Sequence, residues 1–160
     1  MAWVSAAYLT NQIGAEQVAA LGLVNGSDRL TQYELDARSK VIAGMLFAGY
    51  AAPDATLTET TNDQQVTAAY LKSMCAGIML DMAYALIPGI SLTEQAQRVI
   101  SNAYRMLNGL FATDVSAKVP IPGMVPSALD GIGGVEFNTD ASSLGPTTTP
   151  VFRQLRGSSF

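Results

Sequence analysis

Acidic side chains are the residues in this sequence best placed to do chemistry, because imidazole is absent and thiol is nearly so. There is no histidine, and Cys75 is the only cysteine. Imidazole acid/base catalysis, disulfides and Cys/His metal clusters are therefore excluded. Cys75 lies in the apolar run Met74–Ile87, where the reading as a small buried hydrophobe outweighs the reading as a nucleophile. Acid/base work by carboxylates needs two of them, with separated pKa values, in one cleft. Here the helical carboxylates fall at helix starts or in i,i+4 pairs such as Glu34/Arg38, Asp36/Lys40 and Glu94/Arg98. The solvated-face reading is favoured for all of these. Asp81 stands apart as the one charge in the apolar run, and a carboxylate there must find a partner or water. Arg38 and Arg105 are the expected partners. Gly131-x-Gly-Gly134 lacks the preceding strand, the following helix and the Lys-Ser/Thr of a phosphate loop, so a turn or flexible role is favoured. No cofactor or metal site is expected.

The elements that would position these residues are helices. Thr31 and Glu34 form an S/T-x-x-E capping box, with Leu30 and Leu35 as a hydrophobic staple. This predicts a helix over 31–50 with Leu35, Val41, Ile42, Met45, Leu46 and Tyr50 inward and the ion pairs outward. Pro53 ends it by biasing Ala52 away from helical geometry. Residues 53 to 62 read as a polar surface loop. A second helix starts with Asn62 or Asp63 as N-cap and runs to Pro88-Gly89, apolar almost all round, so it must be covered on most sides. It is too short in its apolar part to span a membrane, and Asp81 sits within it. Ser73, Gly77, Asp81 and Ala85 share one narrow face that would admit a close neighbour. Ser91 and Glu94 predict the start of a third helix to about Phe111, with Ala96, Val99, Ile100, Ala103, Met106, Leu107 and Leu110 inward. Before these, Ser5 caps a short helix that stops at Gly14, and Ala15 to Leu21 forms another. Trp3, Tyr8, Leu9, Val18 and Leu21 anchor the pair as a lid. Met74, Met79 and Met82 read as core rather than as a cofactor site.

The fold class expected is all-α: a small bundle of three long and two short helices over residues 1–112. Residues 113–160 differ. They hold five of the seven prolines and six of the fourteen glycines, without helical period. They read as an extended Pro/Gly/Thr-rich C-terminal arm that cannot build its own core and that neighbouring chains would hold. Near its end Phe152, Arg153, Leu155, Arg156 and Phe160 alternate basic and apolar. Aromatic and Arg side chains are common interface anchors, so these five are the expected contacts to a partner or a neighbouring subunit.

The chain has 160 residues and a net charge of −4, with its nine Lys and Arg scattered, which disfavours direct binding to nucleic acid. The N-terminus lacks the basic segment and long apolar core of a signal peptide, so function without secretion is expected. Met-Ala-Trp-Val-Ser at the start, Tyr8-Leu9, Ile13-Gly14, the short helix to Leu21, Ala37 and Ile42, Gly49-Tyr50-Ala-Ala-Pro53 and Ala83-Tyr84-Ala85-Leu86 together resemble the small helical head–tail connector, or adaptor, proteins of tailed bacteriophages. The resemblance covers roughly residues 1 to 112, and the long arm departs from the shorter members of that family.

The resemblance implies a non-enzymatic virion protein at the head–tail junction. It would form a homo-oligomeric, dodecameric ring that binds the portal protein on one side and a tail terminator or other neck protein on the other. Genomic DNA would pass through the channel without specific binding, which suits an acidic wall. In such adaptors a C-terminal segment often grips the portal, a role that falls here to residues 146–160. Two other classes stay open at this level. A free-standing regulatory bundle would bind a peptide or protein in a Met-lined groove. An enzyme using Asp81 would need a concave pocket and a perturbed carboxylate there.

Overall fold

A computed structural model describes residues 2–54, 57, 59–113 and 120–126 of the chain. Five helices follow one another: α1 (Ala6–Ile13), α2 (Ala15–Ala20), α3 (Asp28–Phe47), α4 (Asn62–Leu86) and α5 (Glu94–Phe111). All regular structure among the described residues is helical, as the apolar periodicity predicts. None of these helices is long and apolar enough to cross a membrane.

α4 is the centre of the bundle, packed most extensively against α5 and then α3. Its buried residues run without a break from Met74 to Leu80, so no face of this stretch meets water. The chain itself covers the helix that the sequence required to be covered. Each Leu, Ile or Met side chain so buried contributes about 1.5–3 kcal/mol. The small-residue face expected around Gly77 makes the closest contact. A Cβ at Gly77 would stand 2.2 Å from the Ala103 Cβ and 2.8 Å from the Val99 carbonyl oxygen, so α5 lies directly against the α4 backbone.

Ser5 caps α1 as expected, but the starts of the three long helices differ from those expected. α3 begins one turn before the expected capping box. Ser27 is the N-cap, its Oγ accepting from the Leu30 N–H at 3.1 Å, while Thr31 lies inside the helix and donates its hydroxyl to the Ser27 carbonyl. α5 starts from Thr93, not Ser91, with the Thr93 Oγ1 accepting from the Ala96 N–H. α4 is capped by Thr61, not by Asn62 or Asp63, and its box partner Gln64 reaches back to the Thr61 N–H. In each case a different hydroxyl outcompeted the residue expected to cap the helix.

The extra turn of α3 accompanies a change in which face is inward. Leu30, Glu34, Ala37, Val41, Gly44 and Met45 are buried, whereas Leu35 and Leu46 are exposed. The Leu30/Leu35 staple therefore does not form, and Glu34 belongs to the core face. The loop after α3 is also less polar in effect than its composition implies. Leu57 is buried at 7 % exposure and is the only non-glycine described with positive φ, at 46°. Burial of its side chain offsets a conformation that L residues avoid.

α1 and α2 fold onto the long helices as the expected lid. Trp3, Val4, Leu9, Val18 and Leu21 enter the core, and the Tyr84 hydroxyl of α4 donates to Gln17 Oε1 of α2 at 3.0 Å. The core also extends past residue 112, the expected end of the bundle. Ile121 is 1 % exposed within it.

Substituting Gly77 tests the α4–α5 contact. Gly77→Ala raises intrinsic helix propensity by about 1 kcal/mol, but overpacking of this kind costs about 1–3 kcal/mol. Thermal unfolding should show a net loss of stability, larger for Gly77→Val. A melting temperature equal to or above the native one would refute the close approach.

Candidate interaction sites

Glu34 is the one buried charged residue among those described, at 4 % exposure. The inward turn of α3 puts its carboxylate under the N-terminal segment, where Oε1 accepts the Trp3 main-chain N–H at 2.8 Å. Arg38, one turn on, lies 3.9 Å from the same oxygen, and its guanidinium stands 5.9 Å from the Trp3 ring centroid. The Cys75 thiol packs against the Glu34 carbonyl at 4.0 Å. Burial pushes the thiol up to about 12, with the Glu34 charge adding to the rise and Arg38 opposing it. A thiol held neutral in this way is a core group, not a nucleophile. The Glu34/Arg38 spacing was legible as an ion pair. That Glu34 faces inward and ties down the N-terminus was not, because i,i+4 spacing carries no information about which face is buried.

Asp81 finds its partner on α5, and it is neither of the arginines expected. The Tyr104 hydroxyl donates to Asp81 Oδ2 at 2.7 Å, while Arg105 donates to Asn102 and Arg38 stands beside Glu34. Donation to Asp81 holds the Tyr104 phenol up at about 12, with burial and the Asp81 charge adding to it. At neutral pH the pair is a polar bridge between α4 and α5 one turn from Gly77. Met74 and Met79 are core, and partly buried Met82 has the Lys40 ammonium 4.0 Å from its sulfur.

Among the described residues, two apolar surface features stand out. Phe47 ends α3 and Phe111 ends α5, their rings 5.4 Å apart at 43°, and both remain exposed, by 57 % and 41 %. Gly44 makes the pairing possible, since a Cβ there would come within 3.2 Å of the Phe111 ring. Exposed Leu46 adjoins Phe47 in the chain. The second feature is a shallow, mainly apolar groove of about 450 Å³ between α1 and α2, lined by Ala6, Ala7, Ala15, Val18 and Val24. The outer face of α5 is polar, carrying the expected exposed pair Glu94/Arg98 with Gln97, Ser101 and Asn102.

A further contact is one that no sequence pattern announced. Residues 121–124 make a turn closed by the Met124 N–H and the Ile121 carbonyl at 3.2 Å. Pro122 and Gly123, the latter at φ 76°, occupy its two central positions, which is the type II pattern. The Ile121 N–H donates to the Tyr50 hydroxyl at 3.1 Å, and the Thr67 hydroxyl shares its proton between the Pro122 carbonyl at 2.7 Å and the Asp63 carbonyl of its own helix at 2.8 Å. A Pro-Gly pair signals a turn, but the residues that receive this one lie more than fifty positions away.

The five expected partner contacts, Phe152, Arg153, Leu155, Arg156 and Phe160, lie outside the described residues, as does Gly131–Gly134. Comparison of the chain with models of known protein families, with curated proteins and with solved structures found no match.

Single-residue variants and one titration check these assignments. Glu34→Ala removes the acceptor for the Trp3 N–H and leaves a buried donor unsatisfied, so unfolding should show a loss of about 2–3 kcal/mol, with Glu34→Gln losing less. Tyr104→Phe should cost about 1–2 kcal/mol. Cys75 and Tyr104 have folded-state pKa values raised from 9.0 and 10.0 respectively. A raised value favours the neutral folded form, so this stability is fully present below pH 9 and is lost as pH climbs towards 12. Denaturant midpoints measured from about pH 8 to about pH 12 should fall across that window, and less steeply in Cys75→Ala.

Proposed function

We propose that this chain is a structural, non-enzymatic component of the neck of a tailed bacteriophage. It assembles with copies of itself, as a dodecameric ring, between the portal protein and a tail terminator or other neck protein. Genomic DNA passes through the channel without specific contacts. Residues 146–160, with Phe152, Arg153, Leu155, Arg156 and Phe160, grip the portal.

The observation that carries this reading is the exposed Phe47–Phe111 pair at the joined ends of α3 and α5. The chain has enough apolar surface to enclose the Met74–Leu80 stretch of α4 completely, yet it leaves two paired aromatic rings in water. Paired aromatics with an adjoining Leu46 are the composition of an interface centre rather than of scattered surface apolar residues. The likeness of residues 1–112 to head–tail adaptors supports the same conclusion, as does the negative charge expected of a channel wall.

Native mass spectrometry of the chain, alone and with portal particles, tests the proposal. The native protein should form a ring by itself or on the portal. Phe47→Ser/Phe111→Ser should stay folded, since both rings are exposed, and should assemble far less. Deletion of residues 146–160 should leave the bundle folded and abolish portal docking. A native chain that remains monomeric with and without portal would overturn the proposal.

A further inference from the structure

We propose that the Ile121–Met124 turn is a mooring that fixes where the C-terminal chain leaves the helical bundle. Three independent features hold it. The Ile121 side chain is 1 % exposed in the core. The Ile121 N–H and the Pro122 carbonyl bond to two different elements, Tyr50 just after α3 and Thr67 in α4. Gly123 sits so close to α4 that a Cβ would stand 2.6 Å from Thr67 Oγ1 and 2.7 Å from the Asp63 carbonyl oxygen. Both the contact and φ 76° require glycine at this position.

The local sequence is built for such a fixed point. Pro120 and Pro122 flank Ile121, so the segment enters the seat with little backbone entropy to lose, and the Ile121 amide is the only N–H between them. The receiving groups are pre-set as well. Tyr50 is itself 6 % exposed, and Thr67 stands in the second turn of a helix started by a complete capping box. Immediately beyond the seat, Val125 is 87 % exposed, so the anchored stretch ends abruptly.

The functional use of the mooring rests on the reading given under Proposed function, in which the C-terminal residues dock on the portal. With the turn seated, the tether to those residues is the stretch after 126. With it released, the tether starts after α5. Tether length to residue 146 changes only from about 19 to about 34 residues, and the −3/2 power dependence lowers the local concentration of the docking residues by only about 2.4-fold. A larger loss on release therefore measures displacement of the departure point.

Two measurements on the full chain test this. Hydrogen exchange at the Ile121 amide should be slowed by roughly tenfold or more relative to the same amide in a peptide of residues 114–126. Gly123→Ala, and independently Tyr50→Phe, should return it to the peptide rate while far-UV dichroism still shows a cooperative helical melt. Peptide-like exchange in the native chain would overturn the mooring. In the second measurement, Gly123→Ala should weaken portal docking by more than about fivefold, well beyond the tether-length effect. A loss of about 2.4-fold or less, no more than the tether-length effect, in a variant whose Ile121 amide exchanges freely would overturn the positioning role. Failure of the native chain to dock at all would instead refute the neck assignment and the mooring's use in it, and the exchange result would then decide the mooring by itself.

Discussion

The backbone of α4 touches α5 at Gly77, and the rest of the bundle depends on that absence of a side chain. With α5 seated against Gly77, the uninterrupted apolar stretch from Met74 to Leu80 is enclosed by its own chain. The same approach brings Tyr104 within 2.7 Å of Asp81. The charge that looked most like a functional group becomes the polar bridge of a helix contact. A carboxylate in an apolar helix needs one good donor, and a phenol supplies it without importing a second charge into a partly buried position.

Around this pair the remaining elements are tied by single polar contacts set among apolar ones. Glu34 holds the main chain of Trp3, Tyr84 holds Gln17, and Tyr50 with Thr67 holds the turn at Ile121. Each tie joins a long helix, or the residues just after it, to a segment too short to be stable alone. Apolar packing supplies the adhesion, while the buried bonds at Trp3 and Ile121 specify one register, since a shifted segment would leave a buried donor unpaired. Among the described residues only Trp3 Nε1 and the Tyr70 hydroxyl are buried without a partner.

The surface contrasts with this economy. The Phe47–Phe111 pair lies exposed where α3 and α5 end together, and the α1–α2 groove is floored by alanine. An assembly built of copies of one chain needs such faces, and a closed ring needs two different ones on each copy. The adaptor reading gives both faces a use, and it assigns the C-terminal residues the contact to a different partner.

By itself the sequence determined the helical class, the order of the five helices described and roughly where each one stops, because apolar period and Gly or Pro stops act over a few residues. It also determined that α4 must be covered and that Gly77 lies on a face for close approach. Tertiary structure alone decided which hydroxyl capped α3 and α5, since competing caps differ by less than the packing around them contributes. It turned Glu34 inward, where i,i+4 spacing allowed either face, and chose Tyr104 over Arg38 and Arg105 as the partner of Asp81. It placed Ile121 in the core although its surrounding composition is that of a loop. These four outcomes depend on which residues meet from different helices, or on the packing that such meetings allow, and no local propensity encodes that.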